Sequence, residues 1–175
     1  AAGRPVTVGL IGAGKFGTMF LAQARVTCGM HVVAVADLDV DRARAQLRRA
    51  GWPEHAYSAS SPGDAFKSGR THVTADADAL LAFPDIEVVV EATGVPAAAI
   101  RHAHTAVGHG KHLVMVSVEA DALVGPLLAA RAKAAGVVYS LAWGDQPALI
   151  CEHVDWARTC GFKVVAAGKG TRYEP

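Results

Sequence analysis

The segment Gly12-Ala13-Gly14-Lys15-Phe16-Gly17 leaves this chain few choices of fold. An apolar run over residues 6–11 precedes it, and Phe16, Phe20 and Ala24 follow at helical spacing through about residue 28. That order predicts strand, tight turn, helix, the context in which GxGxxG has physical meaning. Gly12 permits the turn, Gly14 lets a pyrophosphate approach the backbone, and Gly17 lets helix and strand pack closely, while the helix N-terminus offers free N–H groups to anions. A second valine-rich run, 31–36, ends at Asp37, twenty residues after Gly17. A carboxylate there can accept hydrogen bonds from the hydroxyls of an adenosine ribose. Asp39 can cap a helix running to about residue 50, before the Gly51-Trp52-Pro53 break. Dinucleotide binding is the expectation.

The remainder keeps alternating. Residues 53–70 are polar with weak periodicity and are expected as a surface excursion with a helical turn near 64–67. Strands are predicted at 72–74, 87–90, 112–116, 137–141 and 163–167, and helices at 76–81, 96–107, 122–135 and 147–160. Gly125-Pro126 fall near the start of the third of these helices, where proline is tolerated. Continuous apolar strands alternating with helices indicate an α/β fold with a doubly wound parallel sheet, the Rossmann NAD(P)-binding architecture. Residues 1–175 are long enough for one domain with a full hydrophobic core and are read as one such domain.

Charge narrows the partners. With 17 basic and 16 acidic residues the net charge is +1, without the basic stripe of a nucleic-acid binder. No stretch reaches the roughly 20 apolar residues of a membrane span, and no signal-peptide pattern opens the chain. Cys28, Cys151 and Cys160 have no CxxC spacing, so a reducing cytoplasmic setting and buried, inert thiols are expected. The partner expected is a small-molecule substrate, with neither nucleic acid nor membrane.

Chemistry is expected where strands end. Ala92, Thr93 and Gly94 close a central strand and, with Ser117, can border the nicotinamide ribose. Glu119, Asp145 and Lys169 follow successive strands and are the candidate catalytic residues. The Glu119, Asp121 and Asp145 carboxylates can hold a divalent ion or move a proton, Asp121 and Asp145 can instead cap helices, and Lys169 can polarise a carbonyl or bind phosphate. No metal ligands are assigned: His102 and His104 point to different faces of a helix. Asp37 by itself favours NAD, yet Arg42 and Arg44 stand near enough to meet an NADP 2′-phosphate or simply to solvate a helix. The cofactor choice stays open on these residues alone.

Four motifs together carry a resemblance: Val8-Gly9-Leu10-Ile11-Gly12-Ala13-Gly14-Lys15-Phe16-Gly17, Val118-Glu119-Ala120-Asp121-Ala122-Leu123, Gly144-Asp145-Gln146-Pro147-Ala148 and Ala167-Gly168-Lys169-Gly170-Thr171. With them the chain resembles the deoxyxylulose-phosphate-reductoisomerase-like oxidoreductases, the homoserine-dehydrogenase-like proteins with a SAF domain. The resemblance implies that residues 1–175 are the N-terminal cofactor part of a longer enzyme, with catalytic and C-terminal domains outside it, and that this enzyme is oligomeric and cytoplasmic and uses NADPH and a divalent metal in isoprenoid precursor synthesis. The activity it implies converts 1-deoxy-D-xylulose 5-phosphate to 2-C-methyl-D-erythritol 4-phosphate. Ser117 departs from the family's usual Asn and Trp143 from its usual Tyr, and Ser117-Val118 replaces the Asn-Lys pair of homoserine dehydrogenases. Two alternatives stand beside it, a homoserine or sugar dehydrogenase and a non-catalytic NAD(P)-sensing module.

Overall fold

A computed structural model describes residues 3–142 and 146–168. The chain divides into two compact units, Ala1–Ser140 and Leu141–Pro175. The first holds the alternation that the sequence predicts: β1 (Val6–Ile11), α1 (Lys15–Ala24), β2 (Met30–Ala36), α2 (Val40–Arg49), α3 (Pro62–Ser68), β3 (His72–Thr74), α4 (Ala77–Ala82), β4 (Val88–Glu91), α5 (Pro96–Gly108), β5 (His112–Met115) and α6 (Val118–Ala134). With β6 (Tyr139–Leu141) the strands lie in the order β3-β2-β1-β4-β5-β6. β1 pairs in parallel with β2 and with β4, β2 with β3, and β4 with β5. This is the doubly wound Rossmann order, and its direction reverses between β1 and β4.

Both faces of the sheet are covered, which is why its strands read as unbroken apolar runs. Val8 and Leu10 of β1 join Leu21 and Ala24 of α1, and Ala43 and Leu47 of α2, in one buried cluster. The alternate residue Gly9 faces the opposite way, where a Cβ would stand 2.6 Å from Leu80 of α4. Helix ends follow local chemistry. Asp39 accepts the Arg42 N–H at 2.9 Å and opens α2, Ser61 does the same for α3 through Asp64, and Asp76 for α4 through Ala79.

Several expectations change. Residues 53–70, expected as a surface excursion, form part of the packed crossover from β2 to β3. A 3₁₀ turn, Glu54–Tyr57, carries Tyr57 into the core cluster, and Ala59 bridges to His72. Segments this short expose most of their residues, so their composition reads as loop. α6 begins at Val118 and runs through Pro126, four residues earlier than predicted. Pro126 has no N–H to give, so this helix of 17 residues continues with one backbone hydrogen-bond donor missing. No strand forms over 163–167: residues 162–168 have no regular structure. An apolar run becomes a strand only beside a partner strand. The three thiols are exposed rather than buried.

The second unit contains α7 (Gln146–Thr159), followed by residues 160–168. Trp156, Phe162 and Val165 are exposed there. Among the described residues no helix is long and apolar enough to cross a membrane.

The start of β1 is held to β4 by charge. Arg4 grips Glu87 through both guanidinium nitrogens at 3.0 and 2.7 Å, and Glu87 also accepts the Thr7 N–H at 3.1 Å. The Arg4 hydrogen bonds and the Thr7 N–H pull the Glu87 carboxyl down to about 2. A lowered carboxylate pKa stabilises the fold above the unfolded value near 4.5, and that contribution disappears as pH falls through about 2. Thermal melts should therefore show wild type above Glu87→Gln at pH 6, with the two converging as pH falls from 4.5 towards 2. Parallel curves across that range would contradict the assignment.

Candidate functional site: a cleft at the ends of β1, β2 and β4

A cleft of about 770 Å³ opens at the carboxyl ends of the central strands. Gly12 and Gly14 line it from the β1–α1 turn, Asp37 and Arg42 from the end of β2, and Ala92 and Thr93 from the end of β4. Such crevices at the reversal of strand order are where open α/β sheets take their ligands.

The glycine turn is shaped by contacts that exclude side chains. Gly12 has φ +99°, and a Cβ on it would lie 2.5 Å from the Ala92 carbonyl oxygen and 2.9 Å from the Thr93 nitrogen. A Cβ on Gly17 would collide with the Gly12 carbonyl oxygen. Gly14 differs: a Cβ there would meet nothing within 4 Å. That space is the cleft itself. Gly14 is the N-cap of α1, no side chain caps the helix, and its first turn carries no acidic residue. The N-terminal N–H groups and the positive end of the helix dipole are left to an external anion. The residues present thus fit a dinucleotide pyrophosphate.

Asp37 is largely buried, at 8% exposure, and already has three donors. Oδ2 accepts the Ala13 N–H at 2.8 Å, while Oδ1 accepts the Asp39 N–H at 3.0 Å and an Arg42 guanidinium hydrogen at 2.7 Å. Burial pushes this carboxyl up, but the Asp39 and Ala13 N–H groups and Arg42 outweigh it and hold the pKa below the usual range. One lone pair of Oδ2 stays available to a ribose hydroxyl. The carboxylate also ties the end of β2 to the glycine turn, a role that spacing alone did not predict.

The predicted residues separate by position. Gly12, Gly14, Asp37, Ala92 and Thr93 line the cleft. Ala13 and Gly17 are buried behind it, whereas Lys15 and Phe16, at the start of α1, and Gly94 are exposed. Ser117 is 2% exposed, and its hydroxyl is spent on Glu91 and on the Gly94 N–H. It stands behind the β4–α5 loop. Glu119 lies exposed in the first turn of α6 rather than in a loop, because that helix starts early. Asp145 and Lys169, like Trp143, lie outside the described residues. Asp121, read as a possible cap, instead accepts the Tyr139 hydroxyl at 2.7 Å.

Sequence reasoning missed a connected polar group. Glu91, at the end of β4, is fully buried and touches Thr93, Ser117 and His102, while Arg101 bridges His102 to Asp78. The acidic residue in the apolar run ending at position 91 was the available signal. Among the described residues no group of three or more His, Cys, Asp or Glu is arranged to hold a metal ion.

Comparison with known proteins agrees with this geometry. Residues 144–175 match the family model "Oxidoreductase DRL, catalytic domain". No curated protein matches the chain. Among solved structures, a homoserine dehydrogenase from Thiobacillus denitrificans is 25% identical with a TM-score of 0.63, over 79% of this chain and 29% of that one. A myo-inositol dehydrogenase from Lactobacillus casei, solved with NAD(H) and myo-inositol, is 22% identical with a TM-score of 0.58, over 87% and 42%. An NAD-binding oxidoreductase from Klebsiella pneumoniae is 19% identical with a TM-score of 0.61, over 90% and 39%. The chain therefore spans well under half the length of these solved structures. Residues 8–141 match the family model "Homoserine dehydrogenase, NAD binding domain", and the chain belongs to that family.

Proposed function

We propose that this chain is the cofactor-binding part of an NAD(P)-dependent oxidoreductase that moves hydride to or from a hydroxyl-bearing carbon of a small polar substrate. The observation that carries the reading is the uncapped N-terminus of α1 beside Gly14, with the Asp37 carboxylate on the same cleft. The turn and helix would hold the pyrophosphate, Asp37 a ribose hydroxyl, and the β4–α5 loop the nicotinamide side. The bound nicotinamide supplies the hydride chemistry, and the protein supplies orientation and exclusion of water. Glu119, Asp145 and Lys169 remain the proposed substrate-handling residues, with a divalent ion as a proposed companion. Titration calorimetry of the chain with NADH and NADPH tests the reading, and no heat from either would overturn it.

Two substrate readings follow. Membership in the homoserine dehydrogenase NAD-binding family supports a dehydrogenase of a hydroxy amino acid or polyol. The resemblance carried by Gly144-Asp145-Gln146-Pro147-Ala148 and Ala167-Gly168-Lys169-Gly170-Thr171 supports the reductoisomerase, and the match over 144–175 is to an oxidoreductase catalytic domain. Mass spectrometry of products from the complete protein, an oligomer in this proposal, separates them. Only a reductoisomerase rearranges the carbon skeleton of 1-deoxy-D-xylulose 5-phosphate.

Arg42 bears on NAD against NADP. Its guanidinium neutralises Asp37, so a 2′-phosphate would meet an ion pair rather than a bare carboxylate, and its half-exposed side chain can turn to that phosphate. NADPH is accordingly the favoured cofactor. Arg42→Ala should weaken NADPH at least about tenfold relative to NADH, the scale of one charge-assisted contact. An unchanged NADPH-to-NADH ratio in the same titrations would remove Arg42 from cofactor selection.

A further inference from the structure

Glu91 is 0% exposed, at the carboxyl end of β4, yet its nearest partners are hydroxyls rather than a full cation. Oε1 accepts the Thr93 hydroxyl at 2.6 Å and Oε2 the Ser117 hydroxyl at 2.5 Å. His102 Nδ1 lies 3.2 Å from Oε1, and its Nε2 lies 3.0 Å from an Arg101 guanidinium nitrogen. A guanidinium can only donate, so Nε2 accepts and Nδ1 carries the hydrogen that goes to Glu91. Arg101 in turn donates to Asp78 at 2.5 Å. The charge of Glu91 is thus answered through an imidazole by Arg101 on the cleft wall.

The direction of these bonds matters more than their number. An ionised carboxylate has no hydrogen to give, so both hydroxyl hydrogens point at Glu91. Ser117 Oγ is then free to accept the Gly94 N–H at 3.0 Å, and Thr93 Oγ1 to accept the Val95 N–H at 3.3 Å. One lone pair of Thr93 Oγ1 is left, on a residue that lines the cleft. A glutamine at position 91 would fill the same volume without the cost of burying a charge, but its amide would donate to one of the two hydroxyls and reverse it. What the charge adds is a fixed polarity.

We propose that Glu91 is a positioning residue for the nicotinamide half of the dinucleotide. It presents Thr93 Oγ1 to the cleft as an acceptor for a ribose hydroxyl or carboxamide N–H, and holds the Gly94 backbone through Ser117. The inference rests on the dinucleotide reading above. Asp37 stands on the β2 side of the β1–β4 reversal and Thr93 on the β4 side, so a ligand whose adenosine ribose meets Asp37 brings its other half to Thr93.

The test titrates NADH, NADPH and ADP into wild type, Glu91→Gln and Thr93→Val, with folding of each variant checked by thermal melting. ADP carries the adenosine and phosphate groups but no nicotinamide ribose. In Glu91→Gln the better-bound dinucleotide should lose about tenfold or more in affinity, while ADP changes by less than about twofold. Equal losses for ADP and dinucleotide, or no loss for either, would overturn the role of Glu91. Should Glu91→Gln fail to fold, the same split in Thr93→Val decides the matter. A wild type that binds none of the three ligands overturns the dinucleotide reading itself, a result distinct from binding without a split.

Discussion

Replacing Gly12 by alanine should cost about 3 kcal/mol or more of stability, whereas Gly14→Ala should stay within about 1 kcal/mol of wild type and lose dinucleotide binding. At position 12 two penalties combine. The backbone sits at φ +99°, and the new methyl would meet the Ala92 and Thr93 backbone, which cannot turn aside as a side chain could. At position 14 the methyl enters open space with φ −75°, so the fold accepts it. That space is where a pyrophosphate must approach the N–H groups of α1, and affinity should fall about 100-fold. Thermal melts and NADPH titrations of both variants check the pair. A Gly14→Ala protein that binds as wild type does would remove the turn from the cofactor site.

Asp37→Ala should destabilise the protein by about 3 kcal/mol, because it strips the acceptor from two backbone N–H groups and leaves Arg42 without its counter-charge. It should also change the acid limb of stability. The folded pKa of Asp37 lies below its ordinary value, so its contribution is complete above the unfolded pKa near 3.8 and is lost as pH falls through the folded value. Melting temperatures of wild type and Asp37→Asn, followed from pH 6 downwards, should converge below pH 3.8. A gap that stays constant would mean the carboxylate is not what holds the turn. Dinucleotide affinity should fall in Asp37→Asn even at pH 7, where both proteins are folded.

The parts of the fold that could be read in advance are those with local causes. The positive φ of Gly12 and the approach of Gly17 to the Gly12 carbonyl are reasons for glycine contained within six residues, and Asp37 follows at the spacing that one strand–helix–strand unit imposes. Five of the six observed strands coincide with predicted runs to within a residue at each end, since a doubly covered sheet makes its strands largely apolar. Misplaced elements had causes far away in sequence. Tyr57 is buried in a cluster with residues of β2, α2 and β3 that no local pattern announces, and residues 163–167 are apolar enough for a strand but form none among the described residues. Glu91 was visible as an acidic residue ending an apolar run. Its partners lie 2, 11 and 26 residues on, and only the folded sheet brings Thr93, His102 and Ser117 to it. Ser117 shows the reverse case, correctly placed at a strand end yet turned inward as a strut rather than outward to the cleft.

The near-contact between Gly12 and the Ala92–Thr93 backbone has a mechanical consequence. Two loops from different strands, one proposed to hold the phosphates and the other the nicotinamide side, are wedged together with no side chain between them to act as a cushion. A shift of either should therefore push the other, so the two are expected to act as one jaw of a vice. The moving jaw of an enzyme built on this cleft has then to be sought outside these two loops, and substitutions that alter opening and closing rates should fall there rather than among the glycines.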